Sequence, residues 1–276
     1  MKTISAIIAM LAVPAAMACP TRGGGKPPKQ STTVPAIVPT ATPTAVAEVV
    51  SSSSTSTSAS SAATSVAAGS KPVSLAGSTA VTGTSTFYGG NLNGGTCSFT
   101  TYKLPSGIYG TAFSGSAWDS AAQCGSCLRV TANGKSIIAM VVDKCPECEK
   151  GHLDLFENAF DVLSPSSSDP LATSYTPVDC PISSPLVLHN KSGTSAYWFS
   201  MQVVNASEPV AKLEVSTDGG ATWKPTARRD YNFFENASGF GTDKVTVRVT
   251  SRSGSTVVVK NVGVASDSQV TAGSNF

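Results

Sequence analysis

The stretch "VVDKCPECEKGHLDL", residues 141–155, places two aspartates, Asp143 and Asp154, on either side of a Cys-Pro-Glu-Cys tetrad. Such a loop can hold a metal through its thiolates, present an acid, or close on itself as a small disulfide. Just upstream, "LRVTANGKSIIAMVVDK" sets two β-rich runs around Asn133-Gly134, a pair of residues suited to the tight turn of a hairpin. Just downstream, "LFENAFDVL" puts Leu155, Ala159, Phe160 and Leu163 on one face and predicts a helix. Asp154 then stands before the first helical turn, where unpaired amide groups favour a carboxylate, so a helix N-cap is one reading of it.

Compartment narrows the choice among metal, acid and disulfide. "MKTISAIIAMLAVPAAMA", residues 1–18, has an early Lys, a short apolar run and small residues at Ala16 and Ala18. That is the layout of a secretory signal peptide, and the run is too short to span a bilayer. A lipid-modified Cys19 is the alternative, although the Leu-like residue such a site wants three positions earlier is missing. In an oxidising space cysteines pair. Six of the seven (Cys97, Cys124, Cys127, Cys145, Cys148, Cys180) fall in one stretch and form an even set. Two C-x-x-C spacings would also suit zinc, but secretion favours disulfides, with no metal or other cofactor.

A net charge of +2 is too small to suggest nucleic acid or an anionic membrane as partner. Residues 83–181 carry five Lys/Arg against nine Asp/Glu, and residues 182–276 carry nine against seven. This balance, with abundant Ser, Thr, Gly and Asn, fits a protein that meets neutral, hydroxyl-rich material.

Every aromatic residue lies between Phe87 and Phe276. Residues 19–82 have none, and thirteen of residues 51–70 are Ser or Thr, so this segment reads as a disordered Pro/Ser/Thr-rich linker that resembles an O-glycosylated stalk. Residues 83–181 form a first globular block and residues 182–276 a second. In the second, "AYWFSMQVVN", "AKLEVSTDGGATWKP" and "KVTVRVTSRSGSTVVVKNV" read as strands turned at Asp218-Gly219-Gly220 and Ser253-Gly254-Ser255. Val245, Val247 and Val249 alternate with polar residues, which predicts a β-sandwich with one wet face. The connector "DCPISSP" is short and holds two prolines, so the blocks are expected to sit close together.

Two aspartates eleven residues apart could serve as the acid and base of glycoside hydrolysis, but alone they are equally turn and cap residues. Resemblance adds weight. "GTSTFYGG", "CGSCLRV" and "VVDKCPECEKGHLDLFENAF" resemble the six-stranded double-psi β-barrel of the expansin superfamily, including loosenin- and swollenin-like members. "SAYWFSMQVVN" and "RRDYNFF" resemble the carbohydrate-binding domain that follows it, an immunoglobulin-like β-sandwich. The resemblance implies an all-β chain whose groove is lined by Thr86, Asp143 and Asp154, with Asp154 the essential acid and the other two its hydrogen-bonding neighbours. Cys145 stands where many members have a groove tyrosine. The resemblance also implies the pairs Cys97–Cys124 and Cys127–Cys180, and the tetrad closing as Cys145–Cys148; the residues by themselves permit fifteen pairings.

Exposed rings bind flat polysaccharide because sugar C–H faces stack on π faces. The resemblance puts Tyr197, Trp198 and Tyr231 on such a platform. Neighbours on a regular strand point to opposite faces, so Tyr197 and Trp198 can share a side only where the chain is irregular, as Gly193 would permit. Trp223, Phe233 and Phe234 read as sheet packing and Trp118 as core. Asn190, Asn205 and Asn236 each open an Asn-x-Ser acceptor, consistent with a secreted surface. His152 and His189 are isolated and are given no role.

The function implied is a secreted or wall-associated, monomeric, non-enzymatic protein that binds cellulose or a related wall polysaccharide and loosens it. Its rivals are a weak endoglucanase or lytic transglycosylase using Asp154 as acid, and a chitin-binding structural or defence protein.

Overall fold

The computed structural model describes residues 79–165 and 169–276. The signal peptide, Cys19 and nearly all of the expected linker lie outside them. Among the described residues no helix is long and apolar enough to cross a membrane.

The first block closes as a barrel. Its elements are β1 (Val81–Tyr88), β2 (Ile108–Ser114), β3 (Cys127–Ala132), β4 (Lys135–Cys145), β5 (Leu153–Phe156), a short helix α1 (Glu157–Leu163) and β6 (Leu171–Val178). The strands run in the order β1-β5-β2-β4-β3-β6, with β1 and β6 paired to complete the ring. Closure removes the unpaired edges of an open sheet. β3 and β4 form the hairpin expected at Asn133-Gly134, and both turn residues have positive φ (51° and 72°), as a two-residue primed turn requires.

The expected helix is shorter than its apolar spacing implied. Leu155 belongs to β5, where it pairs with Phe87 on one side and Thr111 on the other. Helix α1 starts only at Glu157, with Phe156 at its N-cap and Ala159, Phe160 and Leu163 turned into the core. Asp154 is therefore a strand residue, and the N-cap reading is corrected. The ladder bonds that β5 makes to β1 and β2 outweigh the local helical preference of its sequence.

All six cysteines of this block are paired as Cys97–Cys124, Cys127–Cys180 and Cys145–Cys148, with Cα separations of 5.5, 5.1 and 5.3 Å. These lie within the usual span of a disulfide.

The second block is two sheets. One holds β9 (Val210–Ser216), β10 (Lys224–Pro225), β13 (Lys244–Ser251) and β14 (Thr256–Gly263) in the order β10-β9-β13-β14. The other holds β7 (Val187–Asn190), β8 (Phe199–Val204), β11 (Ala227–Arg228), β12 (Phe234–Asn236) and β15 (Gln269–Thr271) in the order β11-β12-β8-β7-β15. Leu188, Phe199, Met201 and Phe234 from the second meet Leu213, Val215, Val247 and Val249 from the first in one core.

Strand β8 is buried along its whole length, which one-faced alternation does not explain. Phe199, Met201 and Val203 point into the sandwich core, and of the alternate residues Gln202 and Val204 face the barrel. Val204 joins the barrel's own core, and Gln202 donates to the Cys97 carbonyl at 2.8 Å. Asn232 donates to the same carbonyl, Tyr102 to Asn205, and the Trp118 indole to the Asp230 carbonyl at 3.2 Å. Barrel and sandwich fall in one compact unit. Trp118 is 4 % exposed, core as expected, and its indole N–H joins the two blocks.

Candidate functional site

Strand register builds the cleft. β1 and β5 run parallel with Thr86 opposite Asp154, and the Thr86 hydroxyl donates to Asp154 Oδ1 at 2.6 Å. His152, two residues before Asp154, turns its ring to the same side. Its Nε2 lies 3.0 Å from Thr86 Oγ1 and its Nδ1 lies 2.9 Å from Thr84 Oγ1. The tetrad loop forms the opposite wall, giving a cleft of about 520 Å³ bordered by Thr86, Asp154, His152, Glu147, Lys150 and the Cys145–Cys148 pair. Burial pushes the Asp154 carboxyl above its ordinary value. The Thr86 bond and the His152 ring draw it down, while Glu147 and Asp169 push it further up; the net shift is upward. An acid so placed holds its proton at higher pH than a solvated aspartate.

Asp143 is held by a different set of groups. Its Oδ1 accepts from the backbone N–H of Thr96 at 2.7 Å and of Lys144 at 2.8 Å. Ala112 on β2 is the register partner of both Asp143 and Asp154, so the two aspartates lie on strands either side of β2. That spacing sets their backbones about 10 Å apart. The structure thus brings Thr86 and Asp154 into direct contact and gives Asp143 the job of pinning the loop before Cys97.

Two residues of the site escaped the sequence reading: His152, which was given no role and lies in the cleft against Thr84 and Thr86, and Tyr88. Tyr88 packs over Ala112, Cys145 and Cys148 and meets Phe156 edge-on at 5.5 Å. Burial and the nearby charges of Asp143 and Asp154 push its phenol well above its usual range. A ring from β1 therefore lies beside Cys145, the position where a family tyrosine is lacking. The signal was present: Thr86 and Tyr88 are two apart on one strand and share a side. Nothing local in "STFYGG" marks it as a site residue.

In the second block, Trp198 and Tyr231 come together around Lys191. Tyr197 and Trp198 are not both on a regular strand. Ser195 and Trp198 pair across a tight turn whose tip carries Ala196 and Tyr197, so the alternation rule does not separate the rings. The turn is held by the Phe240 and Gly241 N–H groups, which donate to the Ala196 carbonyl at 2.9 and 2.8 Å. Gly239, at φ 61°, lies against that carbonyl so closely that a Cβ would collide with it. Tyr197 is 80 % exposed, Tyr231 is 38 % exposed, and Trp198 is half-buried. The Lys191 ammonium lies 5.8 Å from the Trp198 ring and 5.9 Å from the Tyr231 ring, so those two rings flank one cation.

Beneath them, Glu235 accepts from the Tyr231 hydroxyl at 2.6 Å, Ser200 at 3.0 Å and Arg229 at 2.8 Å. Burial alone would raise the Glu235 carboxyl; the three bonds outweigh it and hold the group below its ordinary value. Phe233 and Phe234 are buried, as expected of packing residues, and Trp223 lies under the Arg248 guanidinium at 4.2 Å on the other sheet.

Two of the three expected glycan acceptors have their amide nitrogens engaged by other groups of the chain. Asn190 is 1 % exposed, and its amide nitrogen donates to Gly263 O and Ser268 Oγ. Asn205 directs its amide nitrogen to the carbonyls of Ser184 and Pro185 and to Ser184 Oγ. Those nitrogens are the atoms a glycan would need, and folding engages them. Asn236, at the end of β12, instead uses its oxygen, accepting from Ser238 N–H.

Comparison with known proteins agrees with this geometry. The Barwin family model matches residues 101–180. Expansin-YoaJ of Bacillus subtilis is 31 % identical over 179 residues, which cover 63 % of this chain and 75 % of that protein. Expansin-like protein 5 of Dictyostelium discoideum is 28 % identical over 207 residues, covering 72 % and 86 %. A crystal structure of apo Clavibacter michiganensis expansin matches with a TM-score of 0.64 at 30 % identity, over 71 % of this chain and 98 % of that one. A mutant of the same expansin, solved in complex with cellohexaose, matches equally well. The fold is that of an expansin, and this chain belongs to the expansin family.

Proposed function

We propose that this protein is secreted, binds cellulose or a closely related wall glycan, and loosens it without hydrolysis. The observation that carries the proposal is the half-buried, raised Asp154 bonded to Thr86 in an open cleft, on a chain that also presents Tyr197, Trp198 and Tyr231 from its sandwich. A cleft lined by hydroxyl, carboxyl and peptide groups suits a neutral glycan chain, and the rings suit its C–H faces. The cellohexaose complex of the Clavibacter expansin supports the same ligand class. In this reading Asp154 grips a glycan hydroxyl and competes with contacts between chains. Asp143 and Thr86 belong to the groove, Thr86 by orienting the acid and Asp143 by holding the adjoining loop.

A raised carboxyl is also what a glycosidase requires of its general acid, which is why the rival hydrolytic reading needs its own measurement. The test is Asp154→Asn, which keeps the side-chain shape. The expected pattern is that the parent weakens filter paper or wall specimens and the variant does not, that both are retained on cellulose, and that neither releases reducing ends. Sugar release by the parent that vanishes in the variant overturns the non-hydrolytic reading. Preferential retention on chitin over cellulose and xylan overturns the ligand class.

A further inference from the structure

His152 touches no residue outside the cleft through its ring nitrogens. Nε2 is 3.0 Å from Thr86 Oγ1, and Nδ1 is 2.9 Å from Thr84 Oγ1. The Thr86 hydroxyl has one hydrogen, and at 2.6 Å that hydrogen goes to Asp154 Oδ1. Thr86 Oγ1 can then only accept from the ring, so Nε2 carries a proton. A neutral imidazole has one N–H, so Nδ1 accepts from the Thr84 hydroxyl. Three bonds therefore point one way, from the Thr84 hydroxyl to the ring, from the ring to Thr86, and from Thr86 to the carboxylate. Each donor in such a chain is sharpened by the donation it receives.

We propose that His152 is a positioning residue which, as its Nε2–H tautomer, fixes the Thr86 hydroxyl as a donor to the ionised Asp154 and so sets the proton affinity of that acid. The inference deepens the groove reading given above and rests on it for its functional meaning. When Asp154 takes up a proton on Oδ1 and donates it to Thr86, the Thr86 hydroxyl must turn to another acceptor. The ring can be that acceptor only by moving its own proton from Nε2 to Nδ1, from where it donates to Thr84. Protonation of the acid is thereby coupled to the tautomer of the ring. The other charged groups acting on Asp154 are Glu147 and Asp169, and its charge is felt in turn by Tyr88; Glu149 and Lys150 also border the cleft. Removing His152 leaves all of them in place.

The experiment is a side-chain NMR titration of the full chain, following the Asp154 carboxyl carbon and the His152 ring nitrogens. With Asp154 ionised, the neutral ring should show a protonated Nε2 and an unprotonated Nδ1; the opposite assignment overturns the proposal. His152→Phe should move the Asp154 midpoint upward by roughly half a pH unit, because the donor that holds the Thr86 hydroxyl toward the carboxylate is lost. His152→Gln, whose carboxamide can still donate to Thr86, should recover part of that shift. In a Thr86→Val background the same His152→Phe change should move the midpoint far less, since the link between ring and acid is gone. A ring that merely ties β1 to the loop before β5 would lower the melting temperature and leave the midpoint where it was, which also overturns the proposal. If His152→Phe does not fold, the ring-nitrogen assignment in the unaltered protein decides. None of these measurements uses a glycan, so they can fail while wall loosening survives, and loosening can fail while they succeed.

Discussion

The barrel and the sandwich each build a site around one carboxylate, and they treat it in opposite ways. Asp154 is pushed up by burial, has a single hydroxyl donor of its own, and feels two further acids, Glu147 and Asp169. Glu235 is more deeply enclosed by residue exposure, yet it is held down by three donors, one of them the Arg229 guanidinium. Burial alone therefore does not decide the state of an acid here; the number and charge of its donors do. The barrel keeps, in an open cleft, an acid whose neutral form burial favours. The sandwich commits its acid as an anion that fixes Tyr231 beside Trp198. The two blocks also differ in what holds them. Three disulfides staple the barrel, whereas residues 182–276 contain no cysteine and rest on one apolar core between two sheets.

The largest effect expected from that difference is on stability. Replacing Cys127 and Cys180 with alanine should cost about 2–5 kcal/mol, as the loss of a native disulfide usually does. In hydrogen exchange, amides of β3 and β6 should lose protection well before those of β13 and β14. Equal loss in both blocks would break the contrast and mean that the shared contacts at Cys97 weld them into one cooperative unit.

Next in size is the platform. Trp198→Ala or Tyr231→Ala should each weaken retention on insoluble cellulose roughly five-fold, since a stacking ring contributes on the order of 1 kcal/mol beyond area burial. Melting temperature should change little for Trp198→Ala. Unchanged binding isotherms for both variants would remove the rings from the glycan-binding face.

The smallest effect sharpens the comparison most. A group with a raised folded pKa adds stability that is fully present below its unfolded value and is lost as pH rises through the folded value. Asp154→Asn should therefore match or exceed the parent's melting temperature at neutral pH, and the gap should narrow as pH falls. A group with a lowered pKa behaves oppositely. Glu235→Gln should be less stable than the parent at neutral pH, with that gap closing in acid. Melting curves of both variants between pH 3 and pH 8 would test this; slopes of the same sign would refute the opposite treatment of the two acids.

Much of this was legible along the chain because the signals are local. The Asn133-Gly134 turn and the valine alternation in β13 each need only a few neighbours to be read. Other features defeated local reading for a specific reason. The spacing of Leu155 with Ala159 and Phe160 suits a helix, but β5 gains ladder bonds on both sides, so Leu155 and Asp154 became strand residues. The Asn-x-Ser signal at Asn190 and Asn205 cannot tell whether the amide nitrogen will meet solvent or a carbonyl from a distant loop.

By itself, the sequence determined the β-rich class, the turns and the set of six cysteines; the candidates Thr86, Asp143, Asp154, Tyr197, Trp198 and Tyr231 came from its resemblance to a family. Only the tertiary structure decided which of these act together. Thr86 meets Asp154 across 68 positions, His152 reaches back to β1, and Trp118 donates to Asp230 across 112. Contacts over such separations are set by barrel closure and by the packing of one block on the other. Both depend on the shape of the whole fold, and no window of neighbouring residues encodes them.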